Sequence, residues 1–367
     1  MRALLILRAD ASPHFGGDVV QARSTSAALR ALGVEADVVE TEQPDARGYD
    51  IGHVFGIGEA DRCARQIAAC RSAGARVALS PIWLDFTEVF GTARACEREL
   101  QKSRTPEGAA DRIGRIRRRS PRENLGYRER IRHDRREAQR ASLLRSADVL
   151  LPNSAVEARN AIAGLHAHDM PFVIVPNGVE VPPIAPAASR RGVVCAARVE
   201  TVKNQAMLLL GLRDDPIDVT IVGEAYDRYY LDICKQWAGP RTRFLGKVPR
   251  SEALGLMVGA RVHAMPSWIE TTGLSSLEAA LLGTQLVVGD RGAEVEYFGS
   301  DAEYADPSDP ASIRAAVLRA LDRPERSDGD ALARRVRALT WEAAARATLR
   351  GYEIALRGKG RAVAHDG

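Results

Sequence analysis

Residues 3–39, ALLILRADASPHFGGDVVQARSTSAALRALGVEADVV, decide the fold class. Residues 3–7 are apolar without alternation, the pattern of a strand buried on both faces of a parallel sheet. His14-Phe-Gly-Gly17 reads as a loop. Asp18 can cap a helix that runs to Leu32, where Gly33 ends it. Residues 34–39 form the next strand. Strand, helix and strand in so short a span predict a right-handed crossover between parallel neighbours.

The alternation continues in both directions of the argument. Strands are expected at 51–55 and 77–79, with a helix at about 59–73 between them. A basic segment follows, read as two or three helices broken at Ser120-Pro121. Strand character returns at 148–151. Ser154, with Glu157 three residues on, starts a short helix through a capping box. A strand at 172–175 closes on Pro176-Asn177-Gly178. VPPIAPAAS, residues 181–189, carries three prolines within five residues and forms a stiff connector. Beyond it, strands are expected at 192–197, 218–222, 243–245, 262–265 and 285–288. Helices are expected at 205–211, 226–238, 251–258, 273–282 and 310–321, and from 330 to about 356. The predicted class is α/β, two doubly wound Rossmann-like domains at 1–181 and 192–340 with a linker at 182–191. Ligands sit outside the carboxyl ends of such strands, so two sheets facing across a cleft would place the site in it.

Composition narrows the classes. The chain has 367 residues, 45% hydrophobic and 27% charged, which fits two ordinary globular domains and excludes a fibrous or disordered chain. No stretch approaches the ~18 apolar residues of a membrane span. The apolar run before Arg8 is five residues, too short for a secretory signal, so the expected location is cytoplasmic. Cys63, Cys70, Cys96, Cys195 and Cys234 are scattered without a CxxC pair, and His166 and His168 have no cysteine nearby, so no metal site is expected. Net charge is +4, but residues 101–145 hold 15 Lys/Arg against six Asp/Glu, a local excess of +9.

The chemistry concentrates in PSWIETTGLSSLEAA, residues 266–280. A strand ends near Met265, a loop carries Glu270, and a helix opens at Gly273. The backbone N–H groups from Thr272 through Gly273 and Leu274 to Ser275 lie at a helix N-terminus, a ready anion site. Glu278 follows inside the helix. An eight-residue helical step rises about 12 Å, comparable to a ligand with a diphosphate at its centre.

The pair Glu270 and Glu278, seven residues apart in this context, resembles the E-x7-E signature of retaining glycosyltransferases of family 4, which have the GT-B fold. ARVETVKN at 197–204 resembles that family's diphosphate clamp, with Arg198 and Lys203 as the cations. IVG ending at Gly223 and FLG ending at Gly246 resemble its core strand ends, and PNGV at 176–179 its turn before the linker. Gly16 and Gly17 resemble its N-terminal glycine loop. LTW at 339–341 resembles the segment that carries the C-terminal helix, residues 341–367, back onto the first domain. The resemblance implies transfer of a sugar from a nucleoside-diphosphate sugar to a hydroxyl, with retention and no metal or other cofactor. It implies that Glu270, Arg198 and Lys203 are catalytic. Gly16, Gly17, Thr272, Gly273, Leu274, Glu278 and Gly223 would bind the donor. Many members place a histidine near the reacting sugar, at the end of an N-terminal strand. SPIWLDF at 80–86 has none, which leaves His14, His53, Trp83 and Asp85 as acceptor-side candidates.

The acceptor is expected to be a saccharide or lipid-linked hydroxyl, since DRGAEVEYFG at 290–299 resembles bacterial surface-polysaccharide relatives. A soluble natural product is an alternative acceptor. A GT-B nucleotide-sugar epimerase is an alternative reaction, although no acid/base set for a sugar ring is evident. Nucleic acid is not expected, because the basic segment offers only Tyr127 for stacking. Ile113, Ile116, Leu125 and Ile131 punctuate its arginines as on an interfacial helix. That pattern predicts a peripheral role at an anionic membrane, the inner face of the plasma membrane. Asp328-Gly-Asp330 imitates an Asp-x-Asp metal motif in what reads as a turn.

Overall fold

The apolar runs form parallel strands in two separate sheets. The structure, a computed structural model, describes residues 1–12, 16–185, 187, 189–326 and 329–358. His14 and Asp328 lie outside the described residues. Packing divides the chain into two units. The first comprises Met1–Asp85, Ile131–Gly178 and the segment from Leu339 onward; the second comprises Phe86–Arg130 and Val179–Ala338.

The sheet of the first unit has the order β2-β1-β3-β4-β5, with β1 at Arg2–Leu7, β2 at Glu35–Glu40, β3 at Ile51–Phe55, β4 at Arg76–Ser80 and β5 at Val149–Leu150. Every pairing is parallel. β3 is buried along its whole length, including His53, as a central strand of a parallel sheet covered on both faces is. The strand expected at 172–175 contracts to a single parallel bridge between Phe172 and Leu150. Pro171 and Pro176 have no N–H to extend a ladder there. The helix expected from 330 to 356 is two, Ala331–Arg337 and Trp341–Arg357, because the Thr340 hydroxyl accepts the N–H of Ala343 at 3.0 Å and starts a new helix. Trp341–Arg357 packs against the helix Gly17–Ala31 and against β4 and β5, so the C-terminal helix does return to the first unit. A side chain at Gly178 would collide with the backbone N of Trp341, so the 176–178 turn lies directly on the start of that helix.

The second sheet has the order β11-β10-β9-β6-β7-β8, with β6 at Val193–Ala196, β7 at Val219–Val222, β8 at Thr242–Gly246, β9 at Val262–Met265, β10 at Gln285–Gly289 and β11 at Glu303–Ala305. It too is wholly parallel. The three residues of β11 are too few to show a period, which is why the sequence pattern missed them.

Packing assigns residues 86–130 differently from the linear boundaries. The helix Arg94–Lys102 lies on the helix Arg228–Trp237 of the second unit. The Trp237 indole donates to the carbonyl of Leu100 at 3.1 Å, and the Gln236 amide donates to the carbonyls of Leu100 and Ser103. The basic segment is indeed helical, at Pro106–Arg117 and Tyr127–Arg145. Its apolar residues do not form the expected interfacial stripe. Ile113 and Leu125 are buried, and of the expected four only Ile131 is markedly exposed, at 47%.

Candidate functional site

All strands of the second sheet run the same way, so the loops after β6, β7, β9, β10 and β11 emerge at one edge. Asn204 ties three of them together. It takes the left-handed conformation, φ +63°, and its side-chain amide donates to the carbonyls of Pro266 at 2.9 Å and Pro307 at 2.8 Å. This fixes its neighbour Lys203, whose Nζ meets Glu270 Oε2 at 2.5 Å. Burial by itself would depress the lysine's pKa. The charge and hydrogen bond of Glu270, with Glu200 beyond, reverse this and leave it raised, so the ammonium stays charged. Arg198 pairs with Glu200 at 3.0 Å on the same loop and remains 45% exposed, available to an incoming anion.

Two glycines admit backbone into this edge. Gly223 has φ +145°, and a Cβ there would collide with the carbonyl oxygen of Ala197, so the end of β7 lies on the backbone that presents Arg198. Gly273 has φ +68° and is the N-cap of the helix Leu274–Leu281. No side chain caps that terminus, so its first N–H groups are open to an anion. Thr272 is buried beside it. Glu278, four residues into the helix, is 18% exposed and bound by Arg250, with Nη2 at 2.6 Å and Nε at 3.1 Å. Burial raises its pKa against the opposing pull of Arg250.

Two residues that the sequence reading did not assign also belong here. Arg250 is the counter-ion of Glu278, and its Nη2 also donates to the Glu180 carbonyl at 2.6 Å. Glu294 is buried with neither carboxyl oxygen partnered. Burial and the charge of Glu270 raise its pKa well above the usual carboxylate range, and the charge of Lys203 opposes them. The N–H of Ala293 donates to the Glu270 carbonyl at 2.9 Å, and a side chain at Gly292 would collide with the Glu270 backbone. The available signal was a glycine two residues before a glutamate, directly after a strand.

The candidates of the first unit sit apart in chemistry. Gly16 is the extended N-cap of the helix Gly17–Ala31, again without a side-chain cap. His53 is a core residue: its ring nitrogens bond Tyr352 Oη at 2.8 Å and Ser80 Oγ at 2.9 Å. Burial pushes its pKa down to about 3, which fixes a neutral imidazole. Trp83 is also buried, and its backbone N–H donates to Glu157 at 3.0 Å. Asp85 is exposed. Ser154 caps its helix as expected, accepting the Glu157 N–H at 2.9 Å, but the Glu157 carboxyl turns instead to the N–H groups of Trp83 and Asn153. Burial pushes Glu157 up to about 7. Among the described residues, no group of three His, Cys, Asp or Glu is placed to hold a metal ion, and no helix is long and apolar enough to cross a membrane.

Residues 190–323 match the profile of the family described as Glycosyl transferases group 1. Glycogen synthase of Mycobacterium tuberculosis (strain CDC 1551 / Oshkosh) is 35% identical over 148 residues, 38% of this chain and 36% of that protein. The O-antigen chain mannosyltransferase B of Escherichia coli is 30% identical over 115 residues, 30% of each chain. The match thus spans about a third of these relatives. Sucrose-phosphate synthase of Thermosynechococcus elongatus superposes with a TM-score of 0.74 at 16% identity, over 96% of this chain and 98% of that one. HepE of Anabaena, solved in complex with UDP-glucose, gives a TM-score of 0.62 at 14% identity over 97% of both chains. The fold of the whole chain is therefore GT-B, two parallel-sheet α/β domains.

Proposed function

Since residues 190–323 match the model of the Glycosyl transferases group 1 family, we propose that the protein transfers a sugar from a nucleoside-diphosphate sugar to an acceptor hydroxyl. The observation that carries this reading is the Lys203–Glu270 pair, held at a strand edge beside the uncapped helix N-terminus at Gly273. As the glycosidic bond breaks, the leaving diphosphate gains negative charge and the anomeric carbon becomes oxocarbenium-like. Arg198, Lys203 and the helix N-terminus are positive groups fixed before the reaction, so they stabilise that charge without reorganising. An ammonium has three donors, so Lys203 can hold Glu270 and a phosphate oxygen together. Glu270 accepts hydroxyl protons of the donor sugar and orients it. Glu278 accepts the paired hydroxyls of a ribose and shares its carboxylate with Arg250.

With this much cationic charge on the leaving group, the proposed transfer needs no metal. The resemblance to family 4 supports retention, by attack from the face the diphosphate leaves. HepE binds UDP-glucose, which makes UDP-sugars the first donors to try. Thermal unfolding with UDP-, GDP- and ADP-sugars tests the reading. A donor at 100 times its Kd should stabilise the fold by about 2.7 kcal/mol. No stabilisation by any of them would overturn it.

The proposed acceptor is a saccharide or lipid-linked hydroxyl. A peripheral membrane location belongs to the same proposal. It now rests on the helix Tyr127–Arg145, where Tyr127 and Ile131 are exposed among Arg128, Arg132, Arg135 and Arg136.

A further inference from the structure

A cavity of about 520 Å³ lies in the second unit, lined by Glu88, Thr92, Arg117 to Arg119, Arg291 and Asp306 among others, and by none of the clamp residues. We infer that it is an acceptor subsite for a sugar bearing an anionic group, a phosphate or a carboxylate, with Arg118 and Arg119 holding the anion. The inference rests on the glycosyltransferase reading for the word acceptor and deepens it.

The lining is a built structure. A side chain at Gly91 would collide with the carbonyl of Pro121, so the 120–125 turn packs directly on the residues before Arg94. The Asn124 amide donates to Thr92 Oγ1 at 3.1 Å and to the Ile116 carbonyl at 3.3 Å, holding that turn on the end of the helix Pro106–Arg117. Two of the four guanidiniums are already neutralised. Arg117 bridges Asp306 at 3.0 Å and Asp309 at 2.8 Å. Arg291 bridges Glu88 at 3.0 Å, Asp306 at 2.9 Å and its neighbour Asp290. The other two form no salt bridge among the described residues, although Arg118 lies in the field of Asp111 and Arg119 in that of Glu123. Arg118 donates its Nε to the Gly114 carbonyl at 3.2 Å, which fixes the side chain and leaves both terminal nitrogens for a ligand. Arg119 pairs with no carboxylate among the described residues. Two neighbouring guanidinium forks suit the oxygens of a phosphate or carboxylate. The Glu88 and Asp306 carboxylates, which also line the cavity, have lone pairs beyond their bridges to Arg291 and Arg117 that suit sugar hydroxyls, and the volume matches a sugar-sized ligand.

The cavity also opens where the chemistry is. Arg291 precedes Gly292, which lies on the Glu270 backbone. Asp306 precedes Pro307, whose carbonyl holds Asn204 next to Lys203. Both belong to loops at the carboxyl ends of β10 and β11, the edge that carries the clamp.

The test is equilibrium binding of glucose 6-phosphate, glucuronate and glucose to the full chain, in the wild type and in the double variant Arg118→Gln/Arg119→Gln. The wild type should bind both anionic sugars about tenfold or more tighter than glucose, and the double variant should lose that preference. Arg118→Lys/Arg119→Lys should retain part of it. Equal binding of all three sugars by the wild type, or an unchanged preference in the double variant, would overturn the proposal. Phosphatidylinositol vesicles separate the sources. Sedimentation that depends on Arg118 and Arg119 assigns the anion to a lipid headgroup, and anionic-sugar binding without sedimentation assigns it to a soluble acceptor. Stabilisation by nucleotide sugar should be equal in wild type and double variant. Its absence in both would remove the glycosyltransferase reading and leave the anion site standing.

Discussion

Lys203 and Glu270 each need the other. With side chains only 16% and 12% exposed, removing one leaves the other charge without its partner. Lys203→Ala should therefore cost about 3 kcal/mol in urea unfolding as well as lowering kcat. Glu270→Ala should lower kcat about tenfold to a hundredfold. Glu278→Ala should act chiefly on the donor KM. Near wild-type kinetics in both glutamate variants would remove the basis of the site. A second residue prediction concerns His263, which is buried in β9 with neither ring nitrogen partnered. Burial lowers its pKa to about 4, from 6.5 in the unfolded chain. The unfolded state alone takes up a proton between those values, so this histidine's contribution is intact above pH 6.5 and is lost as pH falls. His263→Leu should be as stable as the wild type or more so at pH 7.5. Its advantage should grow by about 1 kcal/mol per pH unit below pH 6.5. Urea unfolding of both proteins at pH 7.5 and 5.0 measures the difference, and a constant difference would contradict it.

At the scale of elements, the strand ends depend on backbone contact. Gly223→Ala places a Cβ against the Ala197 carbonyl at φ +145°. It should cost about 2–3 kcal/mol and disturb the Arg198 loop, so loss of donor binding should accompany loss of stability. The basic helices divide by how they are anchored. Arg112 and Lys102 are held by Glu99, Arg115 by Asp111 and Arg140 by Glu137. The exposed arginines of Tyr127–Arg145 are therefore the ones to alter. Arg128→Gln/Arg132→Gln/Arg135→Gln should weaken salt-sensitive sedimentation with phosphatidylglycerol vesicles, at about 1 kcal/mol per arginine. If the wild type does not sediment at low salt, the proposed membrane contact fails.

For the whole molecule, the proposed division of labour makes two measurements decisive. Transfer should continue in EDTA, because Arg198, Lys203 and the helix N-terminus supply the positive charge. An activity abolished by EDTA and restored by Mn²⁺ would contradict this. Proton NMR of the first product formed should show the donor's anomeric configuration, and an inverted product would remove the retention proposal.

The sequence by itself determined the alternation of strands and helices, because buried parallel strands need uninterrupted apolar runs and their helices need caps and glycine stops. It also marked PSWIETTGLSSLEAA, since a strand end, an acidic loop and a bare helix N-terminus are all local features. Tertiary structure alone decided the rest. That residues 86–130 pack with the second half follows from the Leu100 carbonyl meeting Trp237, a contact 137 residues apart in the chain. That Ile113 and Leu125 face a core rather than a lipid surface could not be read from their spacing, which is the same for either. The partners of Glu278 and Glu270, the solitary Glu294 and the two arginines left over after Asp306 is shared were likewise invisible. Each depends on which strand ends meet at one edge of a sheet, and strand order is set by packing between distant segments rather than by local pattern.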